Sequence, residues 1–314
     1  MKQKRLGRQT VVFEAPPRIA AGATIVGDME GAGPLGGYFD LILEDDTWGE
    51  DTWEKAERKM FEQTVRRALE RCAMQPAEID LLLGGDLLNQ IITANFAARE
   101  LAIPFLGLYG ACSTMAESLL LGSMLIDGGY AGHVACASTS HFSTAERQYR
   151  FPLEMGGQTT PTAQRTVTGA GSSLLVEAGY AGGAQFRHIF VTGGTIGRVV
   201  DLGITDANNM GAAMAPAAAD TLAAHLREQN RTVSDYDMIV TGDLGSFGSE
   251  MFNELCRDKG IDLSDRHRDC GNMIFDPAQK VDCGGSGCGC SAVTLNAFLS
   301  VLAVVGFDCA FSSF

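Results

Sequence analysis

The sequence predicts an α/β protein in which two similar layered halves follow each other along the chain. The first observation is an internal repeat at a spacing of 157 residues. Its members are Leu69 with Leu226, Asp80 with Asp237, and Gly85-Asp86-Leu87 with Gly242-Asp243-Leu244. The second observation is that short apolar strands alternate with helical patterns, which is typical of a sheet covered by helices. The third is size, because 314 residues with 46% hydrophobic residues can bury a large core without disulfides.

In each copy of the repeat a helix leads through a polar turn into a strand that ends in Gly-Asp-Leu. The predicted helices are Trp53–Cys72 and Pro216–Gln229, and the strands that follow them are Ile79–Leu83 and Met238–Val240. Four further first-half strands are predicted at Ala102–Leu108, His133–Ala137, Ser172–Glu177 and His188–Thr192. Because strands and helices alternate, we expect a mostly parallel sheet that is buried on both faces. The halves are then residues 1–195 and 196–314.

A second repeat pairs Gly110-Ala111-Cys112-Ser113 with Cys288-Gly289-Cys290-Ser291, and each tetrapeptide opens a helix. The first of these helices is predicted at Met115–Asp127. The spacing is 178 residues here, so the second half contains extra residues, which we place in a polar loop at Asp262–Lys280. After Ser291 only an apolar tail follows, Thr294–Phe314. We therefore expect the second half to be truncated at the C-terminus and incomplete.

Charge and hydropathy exclude several classes of function. A formal net charge of -14 argues against sequence-independent nucleic-acid binding, which depends on Lys and Arg at phosphates. The basic N-terminus lacks a following apolar run, so no signal peptide is predicted, and no stretch reaches the roughly 18 apolar residues of a membrane span. The nine cysteines lack the paired C-x2-C spacing of structural zinc sites, so no metal site is predicted.

Cys112 is the residue with the clearest chemical context. It follows an apolar strand and comes just before a helix, where unpaired amides and the helix dipole attract anions. The same environment is expected to lower the pKa of a thiol. The position therefore suits either a nucleophile or an anion-binding group.

At this point a family resemblance becomes specific. A strand, Gly-Ala-Cys-Ser and a helix in the first of two repeats resemble the nucleophile position of thiolases and ketoacyl synthases. The wider pattern is similar to the stage V sporulation protein AD family, whose members are thiolase-like. The matching segments are Gly110–Ser113, Ser140–Pro152, Thr168–Gly171, Thr241–Gly245 and Gly284–Ser291. The resemblance implies a thiolase-like duplicated layered α/β fold.

The resemblance also implies a function. Members of this family are non-enzymatic proteins of sporulation and spore germination that bind dipicolinic acid and take part in its uptake into the developing spore. They belong to a membrane-associated complex, so the chain is expected to be soluble or peripheral at the spore inner membrane. Its partners would be dipicolinic acid and other proteins of that complex. Thiolase-like proteins also form homodimers through the first-half sheet.

Ligand binding at such a site needs hydrogen-bond donors for two carboxylates and a flat apolar slot for a pyridine ring. Side chains from both halves are expected to supply them at one edge of the sheets. They are Cys112, Ser113, Thr114, Ser138, Ser140, His141, Asp243 and Ser286. No resident cofactor is expected, but calcium carried with dipicolinate would let an acidic protein accept a dianion.

Two other functions stay open on the sequence. Acyl transfer would use Cys112 as nucleophile and His141 as base, because a cysteine thiolate is commonly raised by a neighbouring histidine. However, none of the five histidines lies in an Asn-x-His-Gly or Gly-His-Pro context, and the second-half strand ends in Asp243 where a condensing enzyme presents a histidine. A structural scaffold for membrane partners is the third function.

Overall fold

Helices and strands alternate along the chain, as the repeats predict. A computed structural model describes residues 4–149, 160–263, 265–304 and 309–312. The strands are β1 (Thr10–Val12), β2 (Arg18–Val26), β3 (Leu41–Ile42), β4 (Leu81–Asp86), β5 (Phe105–Gly107), β6 (His133–Ser140), β7 (Arg165–Thr166), β8 (Gly169–Val176), β9 (Gly193–Thr195), β10 (Met238–Thr241), β11 (His267–Asp269), β12 (Gly285–Ser286) and β13 (Cys309–Ser312). The helices are α1 (Asp28–Gly31), α2 (Trp53–Glu70), α3 (Ile92–Leu101), α4 (Thr114–Asp127), α5 (Phe142–Tyr149), α6 (Met210–Gln229), α7 (Gly245–Asp258), α8 (Cys270–Ile274), α9 (Cys288–Thr294) and α10 (Ser300–Val304).

The first half is built on a six-stranded sheet in the order β3-β2-β8-β6-β4-β5. Strands β4, β5 and β6 run parallel, with Leu82 opposite both Phe105 and Ala135. Strand β8 runs antiparallel to both of its neighbours, β2 and β6. The expectation of a mostly parallel sheet is therefore only partly correct, because β8 returns beside β6 in the opposite direction.

Helices cover both faces of this sheet. Helix α2 begins where the Thr52 hydroxyl accepts the Lys55 amide, and its apolar side packs on β8 through Leu174 and Val176. On the other face, α4 and α9 pack on the same strand through Leu175. Strand β8 is fully buried, as expected for a strand that lies between two helical layers.

The second half repeats part of this plan. Strands β11, β10 and β13 form a parallel three-stranded sheet, and β10 is central in it as β4 is central among β5 and β6. Helices α6 and α7 pack together beside β10 through a cluster that includes Leu222, Leu244 and Phe252. No helix within the described residues is long and apolar enough to cross a bilayer.

Three predicted elements differ in the structure. The stretch His188–Thr192 makes single backbone bonds to Pro17 and Ile19, so the strand β9 begins only at Gly193. Helix α6 begins at Met210, because the Asn209 side chain accepts the Ala212 amide and starts the helix before the proline. The polar stretch Asp262–Lys280 is not one loop, since it contains β11 and α8.

The predicted boundary after residue 195 coincides with the end of β9, and its use as a domain division stays a prediction. Two matched or predicted segments extend beyond the described part of the chain. The segment Ser140–Pro152 is described as far as Tyr149, so 150–152 lie outside the described residues, as do 313–314 of the apolar tail. Within the described residues that tail continues α9 through a π-helical turn at Leu295–Leu299 into α10, and then forms β13.

Candidate ligand-binding site

Cys112 lies in the turn that connects β5 to α4. Residues Ala111–Ser113 form a single 3-10 turn, and the Ser113 amide donates to the Gly110 carbonyl at 3.0 Å. Ala111 has a φ of 47°, in the left-handed region that costs a residue with a Cβ about 1–2 kcal/mol. Such strained residues concentrate at functional sites, where the surrounding structure holds them in place.

Asp243 is the hydrogen-bonding centre of the site. It lies in the turn between β10 and α7 and is 1% exposed. Its Oδ2 accepts the Gly287 amide at 2.9 Å and the Ser286 hydroxyl at 3.2 Å. The Cys112 thiol donates a further hydrogen bond to this carboxylate. The structure thus brings together three of the predicted residues, Cys112, Asp243 and Ser286, from both halves of the chain.

The environment of Cys112 favours the protonated thiol. Burial raises the pKa of Cys112 well above its ordinary value, and the negative charge of Asp243 raises it further. The expectation of a lowered pKa at the helix N-terminus is therefore wrong, because loss of water and a neighbouring anion outweigh the helix dipole. A protonated thiol is a hydrogen-bond donor and a poor nucleophile.

A second buried carboxyl, that of Asp269, lies beside Asp243. Its oxygens accept the Thr241 hydroxyl at 2.6 Å and the Leu244 and Gly245 amides at 2.8 and 2.9 Å. Burial raises the pKa of Asp269 to about 7, and the charge of Asp243 contributes to this shift. Burial also raises the pKa of Asp243 itself. Among the described residues, no Lys or Arg forms a salt bridge with either carboxyl.

Ser138 and Ser140 lie beneath this site and hold the two halves together. The Ser138 hydroxyl donates to the Cys288 carbonyl at 3.0 Å. The Ser140 hydroxyl donates to the Val167 carbonyl at 2.7 Å and accepts the Gly289 amide at 3.1 Å. Both serines are fully buried, so their hydroxyls position α9 against β6 and are not available to a ligand.

Ser113 and Thr114 make hydrogen bonds within their own turn. The Ser113 hydroxyl donates to the Gly110 carbonyl and the Thr114 hydroxyl to the Ala111 carbonyl, both at 2.8 Å. Thr114 is buried, whereas Ser113 is half-buried and lines a separate large cavity. These residues fix the shape of the turn that presents Cys112.

His141 is not brought to Cys112. Its Nε2 donates to the Asp46 carbonyl at 2.7 Å, and its Nδ1 accepts the Ser143 amide at 3.1 Å. Burial lowers the pKa of His141, which keeps the imidazole neutral. Among the described residues, no histidine is hydrogen-bonded to Cys112, so the predicted base of an acyl-transfer reaction is engaged elsewhere.

An aromatic rim beside the site was not predicted from the sequence. The hydroxyls of Tyr109 and Tyr149 are hydrogen-bonded to each other, and Tyr149 also donates to the Leu87 carbonyl. Leu87 packs against Cys288, which follows directly after Gly287. Both tyrosines are more than half exposed, and a tyrosine just before Gly-Ala-Cys-Ser was the one signal that pointed to such a rim.

Gln164 is a second residue that the sequence analysis missed. Its side-chain amide donates to the Asp243 carbonyl at 2.7 Å and to the Gly285 carbonyl at 3.2 Å. It therefore ties the backbone of Asp243 to β12, which supplies Ser286. A lone glutamine in a loop offers no pattern from which such a bridging role is predictable.

Solved structures with a similar architecture are condensing-type proteins. OleA from Xanthomonas campestris matches with a TM-score of 0.64 at 16% identity, covering 96% of this chain and 94% of that one. The 3-oxoacyl-[acyl-carrier-protein] synthase III from Aquifex aeolicus matches with a TM-score of 0.57 at 12% identity, covering 95% of each chain. These similarities confirm the thiolase-like layered α/β fold that was predicted.

Sequence comparison is more specific. The family model for stage V sporulation protein AD matches residues 7–303. The stage V sporulation protein AD of Bacillus subtilis is 47% identical over 290 residues, which cover 92% of this chain and 84% of that protein. The match extends over both halves and includes Cys112, Asp243 and Ser286. The chain therefore belongs to the stage V sporulation protein AD family.

Proposed function

We propose that this sporulation protein binds dipicolinic acid for its uptake into the developing spore, without catalysing a reaction. One observation carries the proposal: the Cys112 thiol donates to the Asp243 carboxylate and has no imidazole beside it. A thiolase-type nucleophile needs a base to form its thiolate, whereas a binding site needs only donors. The family relationship supports a role in sporulation, and the donor set supports an acidic ligand.

The ligand is a planar pyridine ring with carboxylates on both sides of its nitrogen. The Cys112 thiol, the Ser286 hydroxyl and the Gly287 amide are the donors that converge on one point, where Asp243 now accepts all three. The exposed ring of Tyr109 offers a face for the pyridine. Such aromatic pairs contribute about 0.5–1.5 kcal/mol beyond the area that they bury.

The charge of the site calls for a cation with the ligand. Asp243 and Asp269 are both buried acids without a salt bridge among the described residues, so a free dianion would meet only negative charge. We propose that calcium arrives chelated by dipicolinate. Calcium takes about 6–8 ligands, mostly oxygens. The chelator supplies its carboxylates, and the Asp243 carboxylate would supply another oxygen.

A calorimetric titration with dipicolinate, with and without calcium, tests this proposal on a sample first shown to be folded. We expect saturable binding that is strengthened by calcium and weakened about tenfold or more in Cys112→Ala and Asp243→Asn. Cys72→Ala is the matched control, because Cys72 is a buried cysteine in the first-half core. A folded chain that gives no binding heat under either condition contradicts the proposal.

Acyl transfer remains an alternative that the same samples can test. If Cys112 forms a stable acyl adduct with an acyl-CoA, and dipicolinate does not bind, the enzymatic function replaces the proposed one. A purely structural scaffold predicts a third result, in which Cys112→Ala changes neither complex assembly nor dipicolinate uptake.

We also propose that the chain works as a peripheral component of a protein complex at the spore inner membrane. A homodimer through the first-half sheet is part of this proposal, and β5 supports it. This strand is an edge of the six-stranded sheet, and Leu106 on it is 55% exposed. Light scattering of Leu106→Lys should then show a monomer where the unmodified chain is a dimer.

A further inference from the structure

The largest cavity of the described residues lies in the second half and is separate from the Cys112 site. Its volume is about 870 Å³. It is lined by β9, by β13 through Cys309 and Phe311, by α4 through Ala116 and Leu120, and by α6 through Ala217 and Thr221. Two strands therefore form its edges and two helices form its faces.

The first half shows what fills the equivalent space. There β8 lies between β2 and β6, antiparallel to both, and is covered by α2 on one face and by α9 on the other. The counterparts of these four elements in the second half are the four that surround the cavity. No strand of the described residues takes the place of β8 between them.

Each correspondence rests on sequence or pairing. Residues Gly22-Ala23-Thr24-Ile25 of β2 recur as Gly193-Gly194-Thr195-Ile196 at β9. Strand β13 pairs with β10 in parallel, as β6 pairs with β4. The repeat that contains Leu69 and Leu226 relates α2 to α6, and the Gly-Ala-Cys-Ser repeat relates α4 to α9.

The edges of the cavity are chemically unsatisfied. Strand β13 is paired only with β10, and β9 only with β1, within the described part of the chain. Free strand edges present amides and carbonyls that readily pair with another strand. The segment that continues from β9 adds apolar surface, since Ile196 is 50% and Val199 is 96% exposed.

We propose that this cavity, bounded by β9, β13, α4 and α6, binds an extended strand of about eight residues from a partner protein, antiparallel to β13. The strand completes the order β1-β9-strand-β13-β10-β11, which is the counterpart of the six-stranded first sheet. Only two residues of the sequence follow β13, too few to return as that strand. Addition of a strand to a free edge is a common mode of peptide recognition.

The helices define the chemistry of the strand. In the first half, α9 approaches β8 so closely that a Cβ on Gly171 would lie 2.5 Å from the Ala292 backbone. Residues of β8 that face α2 are larger, as Leu174 and Val176 are. The bound strand is thus uncharged, with small residues towards α4 and aliphatic residues towards α6.

The test uses the full chain and a fluorescent peptide with the sequence of Gly169–Val176, followed by two lysines for solubility. We expect saturable binding by fluorescence anisotropy and slower hydrogen exchange of β9 and β13 when the peptide is bound. Ala217→Trp fills the cavity from α6 and should weaken binding about tenfold. Ala213→Trp on the exposed side of the same helix is the matched control and should bind within about twofold of the unmodified chain.

A second variant, Ala116→Trp, fills the cavity from α4 and serves if Ala217→Trp does not fold. A control peptide with proline in place of alternate residues lacks the amides that pair with β13 and should not bind. The proposal is overturned if a folded chain does not bind the peptide, or binds it equally well when the cavity is filled. It is also overturned if a second copy of the chain occupies the cavity, seen as a dimer that Ala217→Trp dissociates.

Discussion

Replacing Asp243 with asparagine tests the reasoning about Cys112 most sharply. The change keeps the shape of the side chain but removes the negative charge that accepts the Cys112 thiol, the Ser286 hydroxyl and the Gly287 amide. Hydrogen bonds to charged groups contribute about 1.5–3 kcal/mol. Since one pKa unit corresponds to about 1.4 kcal/mol, the pKa of Cys112 should fall by about 1–2 units.

The assay is the rate at which iodoacetamide alkylates Cys112 at pH 8, followed by peptide mass spectrometry. Each unit of pKa decrease raises the thiolate fraction about tenfold but lowers thiolate nucleophilicity about threefold, so the rate should rise about 3–10-fold in total. Asp269→Asn is the matched control, because Asp269 is equally buried but has no hydrogen bond to Cys112. An unchanged or slower rate in folded Asp243→Asn would refute the assigned hydrogen bond.

Three further predictions follow from buried polar groups and the aromatic rim. Burial raises the pKa of Glu30 from 4.5 to about 7, so the folded chain binds more protons than the unfolded chain. Its contribution to stability is full below pH 4.5 and is lost as the pH rises through 7, and urea denaturation should show a flatter pH dependence in Glu30→Gln. Ser140→Ala leaves the Val167 carbonyl and the Gly289 amide without their partner, which should lower the unfolding free energy by about 1–3 kcal/mol in the same assay; an unchanged value would contradict the role given to this serine. Tyr109→Ala should weaken dipicolinate binding about 3–10-fold by calorimetry, whereas Tyr130→Ala, at an 83% exposed tyrosine, should not.

The sequence predicted the parts of the site that depend on strand ends. The Gly-Asp-Leu repeat located Asp243 just after β10, and the Gly-Ala-Cys-Ser repeat located Cys112 just before α4. Residues at the ends of neighbouring elements converge whenever the fold brings those ends together. The hydrogen bonds of Cys112 and Ser286 to one carboxylate follow from that rule.

The residues that were misplaced depend on contacts between distant segments. Ser138 and Ser140 share one face of β6, as their spacing predicts, but only the structure shows that α9 covers this face. The imidazole of His141 is held by the Asp46 carbonyl, and nothing in the sequence near either residue indicates that contact. The antiparallel direction of β8 was also missed, because the pattern of apolar residues does not encode strand direction.

Protection of Cys112 by ligand is the measurement that tests the proposed binding site most directly. The rate of Cys112 alkylation is measured by mass spectrometry over a range of dipicolinate concentrations in the presence of calcium, with the half-buried Cys309 as an internal reference. We predict that Cys112 becomes at least about tenfold less reactive with a saturable dependence on ligand, while Cys309 is unchanged. Equal reactivity of Cys112 with and without a ligand that calorimetry shows to be bound would place the binding site elsewhere.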